Sequence, residues 1–277
     1  MKDYSVPEEY WETRLSQNFN LVGVGYIGLG EYYNSKLYKA RLRILEEILA
    51  RNHISLEGKN ILDIGCGTGF YTNYFYKQNV ASYTGLDITQ VSIQALRTQY
   101  PNYDFIHSDI GKDEVSFPIR YDIVLMADVL YHIISDEEFE HALEQACKAI
   151  NHSGILIVAD VFPAETYQVG SHVRLRSLEE YRHQLSVLGF KTNSVDPIFV
   201  LLHPPISNPE AGLGYQAYLI LWRLFHQLTK FPPFEYFLSN IYYFLDEKIF
   251  LGLSGNKSFS IKWLYASSNR AEQNTQK

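Results

Sequence analysis

The chain has 277 residues, a formal net charge of −7 and 20% charged residues. This length allows one large α/β domain with additions, or at most two small domains. The acidic balance argues against a nucleic-acid-binding protein, because phosphate recognition needs clustered lysine and arginine. The 22 tyrosines, 16 phenylalanines and 3 tryptophans are a heavy aromatic load, which indicates an aromatic-lined surface or cavity.

The two cysteines, Cys66 and Cys147, indicate a reducing compartment without a disulfide framework. Residues 1–7 lack the apolar core of a signal peptide, and no apolar run approaches the length of a membrane span. We therefore predict a cytoplasmic protein without a transmembrane segment. No cluster of histidine, cysteine, aspartate and glutamate has metal-ligand spacing, so we predict no metal.

Three N-terminal segments precede the first predicted strand. Residues 6–14 predict an amphipathic helix with Tyr10 and Trp11 on its buried face. Residues 18–34 hold four glycines among aromatic residues. This segment is either a mobile lid that folds over a site or a surface loop packed by its own aromatic side chains. Residues 35–51 have apolar positions at helical spacing and predict a second helix.

A glycine-rich turn follows the first predicted strand. Residues 60–70 read Asn-Ile-Leu-Asp-Ile-Gly-Cys-Gly-Thr-Gly-Phe, a short apolar run that breaks into three glycines spaced two apart. Glycine tolerates positive φ and lets a ligand approach the backbone closely. The NAD fingerprint Gly-x-Gly-x-x-Gly needs a glycine where Phe70 stands, so the NAD pattern is excluded.

The second predicted strand, residues 81–87, ends in an acid. Asp87 lies 22 positions beyond Gly65, the separation at which nucleotide-binding α/β units place a carboxylate for ribose hydroxyls. An ionised carboxylate can accept both hydroxyl protons. The alternative is that Asp87 caps the helix predicted over residues 89–99, and both roles can hold together.

Strands and helices alternate through the rest of the predicted core. We predict further strands at residues 103–110, 121–126 and 154–160, helices at 135–150 and 175–188, and two last strands at 190–202 and 259–266. The alternation predicts an α/β fold with a doubly wound, mostly parallel seven-stranded sheet.

Four features stand in one register: the turn at residues 63–69, Asp87, Asp109 and the segment 127–133 after the fourth strand. Over residues 60–200 the chain thereby resembles the class I S-adenosylmethionine (SAM) dependent methyltransferases of the small-molecule type. The resemblance implies a Rossmann-like methyltransferase fold and SAM as the cofactor. The residues it assigns to SAM are Asp63, Gly65, Cys66 and Gly67 in the turn, Asp87 and Ile88 at the ribose, Asp109 and the backbone of Ile110 at the adenine, and the carbonyl of Ala127 at the methionine amino group.

The segment after the fourth strand faces the transferred methyl group in that family. His132 is the candidate general base for an oxygen acceptor, because imidazole titrates near neutral pH. It can equally be a supporting histidine at a helix start. Asp128, Tyr131 and His203 are the other candidates.

The same segment, residues 127–133, also indicates which kind of acceptor molecule is methylated. Methylases of base amino groups carry Asn or Asp followed by Pro-Pro and an aromatic residue here, and the chain lacks that tetrad. The downstream pair Pro204–Pro205 does not replace it. We predict methylation of a small, aromatic or apolar molecule, with O-methylation favoured over N- or C-methylation. The alternatives are a non-methyl-transfer enzyme (cyclase or lyase) on the same fold and a catalytically silent binding subunit.

The last two predicted strands are separated by an aromatic-rich insert, residues 203–257, with predicted helices at 219–228 and 236–245. The insert is either a cap over the active site or an apolar surface for a partner, such as a second copy in a homodimer, or for a membrane. Its few basic residues make anionic lipid the weaker choice. The predicted units are residues 1–52 (N-terminal helices and lid), 53–202 (SAM-binding core), 203–257 (helical cap insert) and 258–277 (last core strand and polar tail).

Overall fold

The structure is a computed structural model that describes residues 7–203, 213–254 and 260–269. Its strands in these residues are, in chain order, β1 (Asn60–Ile64), β2 (Ser82–Asp87), β3 (Asp104–His107), β4 (Tyr121–Ala127), β5 (Ile150–Asp160), β6 (Tyr167–Val169), β7 (Val173–Leu175), β8 (Phe190–Pro197) and β9 (Lys262–Ser268). Seven of them form one sheet of order β3-β2-β1-β4-β5-β9-β8. The first five are parallel, and β9 runs antiparallel between β5 and β8.

This topology confirms the predicted doubly wound, mostly parallel seven-stranded sheet. The strand order reverses between β1 and β4, because β2 and β3 lie on one side of β1 and β4 and β5 on the other. Ligands of open α/β sheets bind at the carboxyl ends of the strands beside such a reversal. The fold therefore places a site where β1 runs into the glycine turn.

Helices cover both faces of the sheet. They are α1 (Pro7–Gln17), α2 (Leu21–Val24), α3 (Glu31–Arg51), α4 (Phe70–Tyr76), α5 (Gln90–Gln99), α6 (Asp136–Ala149), α7 (Leu178–Val187), α8 (Leu213–Thr229), α9 (Pro232–Leu245) and α10 (Leu251–Ser254). Residues on β1 alternate between the two hydrophobic cores, with Ile61 in one and Leu62 and Ile64 in the other. Burial on both faces explains the continuous apolar runs of the parallel strands.

The region before α7 differs from its prediction. Leu175 was assigned to a helix over residues 175–188, but it ends β7, which pairs with β6 in a separate two-stranded hairpin. The helix itself begins at Leu178, after Ser177 caps it by accepting the N–H of Glu180. Apolar residues of a three-residue strand match helical spacing by chance, so the pattern could not separate the two.

The third predicted strand is also shorter than expected. It ends at His107, and Asp109 lies in the following turn, where its carbonyl accepts the N–H groups of Lys112 and Asp113. The carboxylate of Asp113 in turn accepts from Ser108 Oγ and from Asp109 N, at 2.7 and 2.9 Å. These local bonds replace strand pairing and present Asp109 beyond the sheet edge.

The insert forms longer helices than predicted, and they pack on the N-terminal part of the chain. α9 lies against α3, and the ring centroids of Phe225 and Tyr242 are 3.8 Å apart between α8 and α9. Tyr26 and Tyr33, from the segment predicted as a lid or surface loop, contact rings of the insert. That segment is folded here into α2 and the first turn of α3. Pro204–Pro205, residues 255–257 and the tail after 269 lie outside the described residues.

Candidate active site

A cavity of about 520 Å³ opens at the carboxyl ends of β1, β2 and β4. Its walls are the glycine turn, the segments after β2, β3 and β4, and one face of α1. The α1 side chains are Pro7, Trp11 and Leu15. Tyr10 and Trp11 were predicted as the buried face of this helix; both are half-buried, and Trp11 lines the cavity. From residues 18–34, Val24 lines the cavity.

The glycine turn owes its shape to left-handed backbone. Gly65, Gly67 and Gly69 have φ values of 80°, 52° and 82°. The N–H groups of Gly65 and Cys66 both donate to the carbonyl of Leu86, at 2.7 and 3.0 Å, which ties the turn to the end of β2. A Cβ on Gly67 would lie 3.1 Å from Cγ1 of Val24, and both residues line the cavity. The turn thus leaves open backbone facing the cavity.

Asp87 lines the cavity and also braces the turn. Its Oδ2 accepts the N–H of Gly67 at 2.8 Å, and its Oδ1 accepts both the N–H and the Oγ1 hydroxyl of Thr89, at 2.9 and 2.7 Å. A carboxylate has about four acceptor positions, so about one remains, on Oδ2. Burial raises the pKa of Asp87, while the bonds from Thr89 and Gly67 oppose that rise. Ile88 follows it on the cavity wall.

Asp109 and Ile110 line the cavity beyond β3. Asp109 Oδ1 accepts the N–H of Gly111 at 3.0 Å, and Oδ2 lies 3.1 Å from the ammonium of Lys112. Lys112 is also a lining residue, which sequence analysis missed. Lys112 follows Asp109 by three residues in a short turn, and this spacing could have predicted their ion pair.

Asp63 occupies a different place from the other cofactor candidates. It lies fully buried at the base of the turn, and among the described residues that line the cavity it does not appear. Its Oδ2 accepts the hydroxyl of Tyr83 at 2.7 Å, and Tyr83 is in turn bonded to Thr72 at 2.7 Å. Burial raises the pKa of Asp63 to about 7. The geometry suits Asp63 to support the turn from behind.

The segment after β4 forms the wall opposite the turn. Ala127, Asp128, Tyr131 and His132 all line the cavity. His132 Nδ1 lies 3.4 Å from the carbonyl of His172. A carbonyl can only accept, so this contact places the proton on Nδ1 and the lone pair on Nε2. Burial lowers the pKa of His132 to about 4, which keeps the ring neutral at neutral pH and makes it a weak proton acceptor.

Arg176 holds this wall in place, a role that sequence analysis did not foresee. Its fully buried guanidinium donates to the carbonyls of Ile133, Ile134 and Ser135, at 2.8, 3.2 and 3.0 Å. It also bonds the carboxylate of Asp136. One side chain therefore fixes the run of backbone that follows His132.

The candidate His203 lies elsewhere. It stacks on Phe199 with ring centroids 5.5 Å apart, and the described lining of the cavity does not include it. The described residues of the insert do not line the cavity either. The cap stays a prediction. Within the described ranges, no helix is long and apolar enough to cross a membrane, and no group of three or more histidine, cysteine, aspartate or glutamate residues could hold a metal ion.

Comparison with known proteins gives one family match. Residues 61–154 match a protein-family model described as a methyltransferase domain. Over 152 residues the chain is 27% identical to phthiotriol/phenolphthiotriol dimycocerosates methyltransferase 1 of Mycobacterium ulcerans, covering 51% of this chain and 54% of that protein. Over 100 residues it is 30% identical to a ubiquinone biosynthesis O-methyltransferase of Photorhabdus laumondii, covering 34% and 41%. The chain thus spans about half the length of the first relative and less of the second.

A solved structure extends the likeness to the fold. The DhpI–SAH complex matches with a TM-score of 0.51 and 22% sequence identity, over 69% of this chain and 89% of that one. The sheet and the cavity define a Rossmann-like α/β domain with a site at the topological switch point. The family match runs from β1 to the start of β5, so this part of the chain is similar to methyltransferase domains, and the sheet has the Rossmann-like methyltransferase fold.

Proposed function

We propose that the protein transfers a methyl group from SAM to a small molecule. The observation that carries the proposal is the single cavity that brings the glycine turn, Asp87, Asp109 and the segment after β4 together. The order of these groups around it follows the order of the strands in the sheet. Two of the proteins to which the chain is similar are named as methyltransferases, which supports the same reaction class.

The residues around the cavity fit SAM. Gly67 presents bare backbone to the cavity, where a side chain would contact Val24. Asp87 keeps about one acceptor position for a ribose hydroxyl, one fewer than expected from the sequence. Asp109 with the backbone of Ile110 would meet the adenine, and the carbonyl of Ala127 the methionine amino group. When bound, SAM supplies a methyl group already activated by its positive sulfur.

The aromatic lining of the cavity favours an aromatic or apolar acceptor. The aromatic residues that line the cavity include Trp11, Tyr38, Phe70, Tyr71 and Tyr131. Aromatic rings pack well on other rings, and a cavity rich in them excludes strongly hydrated substrates. An oxygen acceptor is favoured, and the relative named as an O-methyltransferase supports that choice.

His132 was the candidate general base. A histidine with a pKa of about 4 accepts a proton poorly at neutral pH, because the best base titrates near the working pH. We propose instead that His132 positions the acceptor. Its ring is 5.0 Å from Trp11 and 4.4 Å from Tyr131, centroid to centroid, so it forms part of the aromatic wall.

The partner that we propose is a second copy of this chain, bound through the insert in a homodimer. Large apolar side chains of α8, α9 and the adjoining turns are more than two-fifths exposed: Ile220, Leu221, Leu224, Leu228, Phe231, Phe234, Phe237, Phe244 and Ile249. Contiguous apolar surface of this kind marks interaction sites. The cytoplasmic location stays a prediction from the two cysteines, both of which are free and buried.

Calorimetry with SAM and S-adenosylhomocysteine (SAH) tests the proposal. We expect the wild-type protein to bind both and Asp87→Ala to weaken each by at least about tenfold, because a hydrogen bond to a charged group is lost. Asp104→Ala, which removes an exposed acid at the opposite end of the neighbouring strand, is the control and should bind normally. No binding by the wild type, or unchanged affinity in Asp87→Ala, would contradict the proposal.

Product analysis then separates transfer from other SAM chemistry. Mass spectrometry should detect SAH and a methylated acceptor. Methylthioadenosine in place of SAH would indicate a cyclase or lyase reaction instead. Binding of SAM without any product would indicate a silent binding subunit.

A further inference from the structure

Three neighbouring polar side chains at the cavity wall have atoms without hydrogen-bond partners. Among the described residues, Tyr71 Oη, Asp128 Oδ1 and Arg41 Nε have none, and each atom is shielded from bulk solvent. Tyr71 and Asp128 line the cavity, while Arg41 on α3 stands behind them. Tyr71 is 6% and Arg41 5% exposed. A buried polar atom without a partner carries its full desolvation penalty, so such a group calls for an explanation.

The backbone at Asp128 is also unusual. Asp128 has a φ of 61°, left-handed for a residue with a side chain. Its N–H donates to the carbonyl of Ala159 at 3.2 Å, and its Oδ2 forms an ion pair with Arg41. These two contacts hold the carboxylate against the cavity wall. Strained backbone that the surroundings maintain occurs preferentially at ligand sites.

The hydrogen-bond donors and acceptors of the three side chains indicate which kind of ligand group can bind between them. A carboxylate only accepts hydrogen bonds and a guanidinium only donates them, while a tyrosine hydroxyl does either. Burial keeps the pKa of Tyr71 well above its usual value, so this residue is neutral and can donate. A ligand carboxylate would be repelled by Asp128. The Arg41 guanidinium already balances the charge of Asp128, so a ligand ammonium gains no net charge attraction there. A neutral hydroxyl satisfies both cavity-facing atoms, because it donates to Asp128 and accepts from Tyr71.

We propose that Asp128 and Tyr71, with Arg41 orienting the Asp128 carboxylate, form a binding site for the hydroxyl group of a neutral phenol. The rings of Trp11 and Tyr131 on the same cavity surface favour a phenol over an aliphatic alcohol. This inference rests on the proposed function, since it names the class of its acceptor. Asp128 and Tyr71 are specificity-determining residues, and Arg41 is a positioning residue.

Tyr71→Phe is the sharpest variant, because it removes one unpartnered oxygen and nothing else. A purely structural role predicts unchanged or higher thermal stability and no other effect. The proposed site predicts weaker phenol binding at that same stability. Tyr74→Phe, on the same helix but outside the lining of the cavity, is the matched control. Asp128→Asn is the second variant and tests the acceptor atom.

The experiment is calorimetry of 2-naphthol on protein saturated with SAH, with 2-methoxynaphthalene as the probe that lacks the hydroxyl proton. We expect the wild type and Tyr74→Phe to bind 2-naphthol and to bind its methyl ether about tenfold more weakly. Tyr71→Phe and Asp128→Asn should each lose about tenfold in 2-naphthol affinity and change SAH affinity by less than about twofold. Thermal unfolding of each variant confirms that it is folded.

The outcomes distinguish failure of the hydroxyl-binding site from failure of the proposed methyl transfer. Absence of SAH binding contradicts the proposed function, and the naphthol titration of the unloaded protein then decides the hydroxyl site alone. SAH binding without 2-naphthol binding overturns the hydroxyl site and leaves the proposed function intact. Equal affinity for 2-naphthol in the wild type and in both site variants also overturns it.

Discussion

At the scale of single residues, Gly65 has the tightest surroundings in the turn after β1. Its φ is 80°, and a Cβ there would overlap a methyl group of Val129. Gly58 has a similar φ of 70°, but nothing lies within 4 Å of where its Cβ would be. Comparing the two glycines separates the two effects, because a side chain at Gly58 would cause backbone strain alone and one at Gly65 would also cause steric overlap.

We expect Gly65→Ala to destabilise the protein more than Gly58→Ala. Both substitutions cost about 1 kcal/mol of left-handed strain, and overpacking against Val129 adds about 1–3 kcal/mol at Gly65 alone. Urea unfolding measures the difference, and SAH affinity should fall only in Gly65→Ala. Equal unfolding free energies for the two variants would show that the turn tolerates a side chain.

We expect Asp63 to make the stability of the protein depend on pH. Its folded pKa of about 7 lies above the value of about 3.9 expected in the unfolded chain. The folded state therefore holds this proton more tightly, and its stabilising effect is complete below about pH 4 and lost as the pH rises to about 7. Above that pH the buried carboxylate carries its full desolvation cost.

The substitution Asp63→Asn removes this titration, because an amide stays neutral. Relative to the wild type, the variant should gain stability as the pH rises from about 4 to about 7, by up to about 1 kcal/mol per pH unit. Thermal unfolding at a series of pH values measures this. Parallel curves for the two proteins would mean that Asp63 is ionised throughout.

At the scale of elements, the backbone from Ile133 to Ser135 depends on Arg176. Removing the guanidinium takes one donor from each of three carbonyls and from Oδ1 of Asp136, while Ser135 O keeps the N–H of Phe139. Arg174 bonds the same carboxylate at 2.7 Å, but its side chain is 30% exposed. The two arginines thus share a partner and differ in burial.

Arg176→Met should cost about 3–5 kcal/mol of unfolding free energy, the range for breaking a buried charge network. Arg174→Met should cost less than about 1 kcal/mol, as exposed ion pairs do. Urea unfolding of both variants measures this contrast. If the two losses are equal, Arg176 does not hold the cavity wall.

The elements that the sequence predicted well are those with long, regular patterns. The parallel strands are continuous apolar runs, and α6 has one apolar face with three acids in its first turn. The glycines and acids of the cofactor site lie at fixed distances along consecutive elements, so their spacing identified them. Short β6 and β7 have no such pattern, because three residues cannot establish a period.

The acceptor side of the site was harder to predict. Arg41 and Asp128 are 87 positions apart in the sequence, and only the docking of α3 beside the end of β4 brings them together. The place of α1 over the cavity likewise depends on how the N-terminal segment packs. Residues 18–34 were expected to cover a site or pack on themselves. Val24 lines the cavity, while Tyr26 and Tyr33 contact the insert, and the lid stays a prediction.

At the scale of the whole molecule, the insert packs against α3 through α9 and exposes large apolar side chains. Leu224 on α8 and Phe237 on α9 are 63% and 61% exposed. Val187, at the end of α7, is a comparably exposed residue at 68% outside the insert.

We expect the wild-type protein to sediment as a dimer and Leu224→Glu/Phe237→Glu to sediment as a monomer. Placing a charge in an apolar interface costs more than the interface gains there. Val187→Glu should stay dimeric. A monomeric wild type, or a double variant of unchanged size, would contradict pairing through the insert.

We propose that one cavity binds SAM by its glycine turn and the acceptor by the segment after β4. A crystal structure with bound SAH tests this arrangement most directly. We expect the ribose at Asp87 Oδ2, the adenine beside Asp109 and Ile110, and the sulfur directed past Ala127 toward Asp128 and Tyr71. SAH bound away from the glycine turn, or with its sulfur directed away from Asp128, would contradict it.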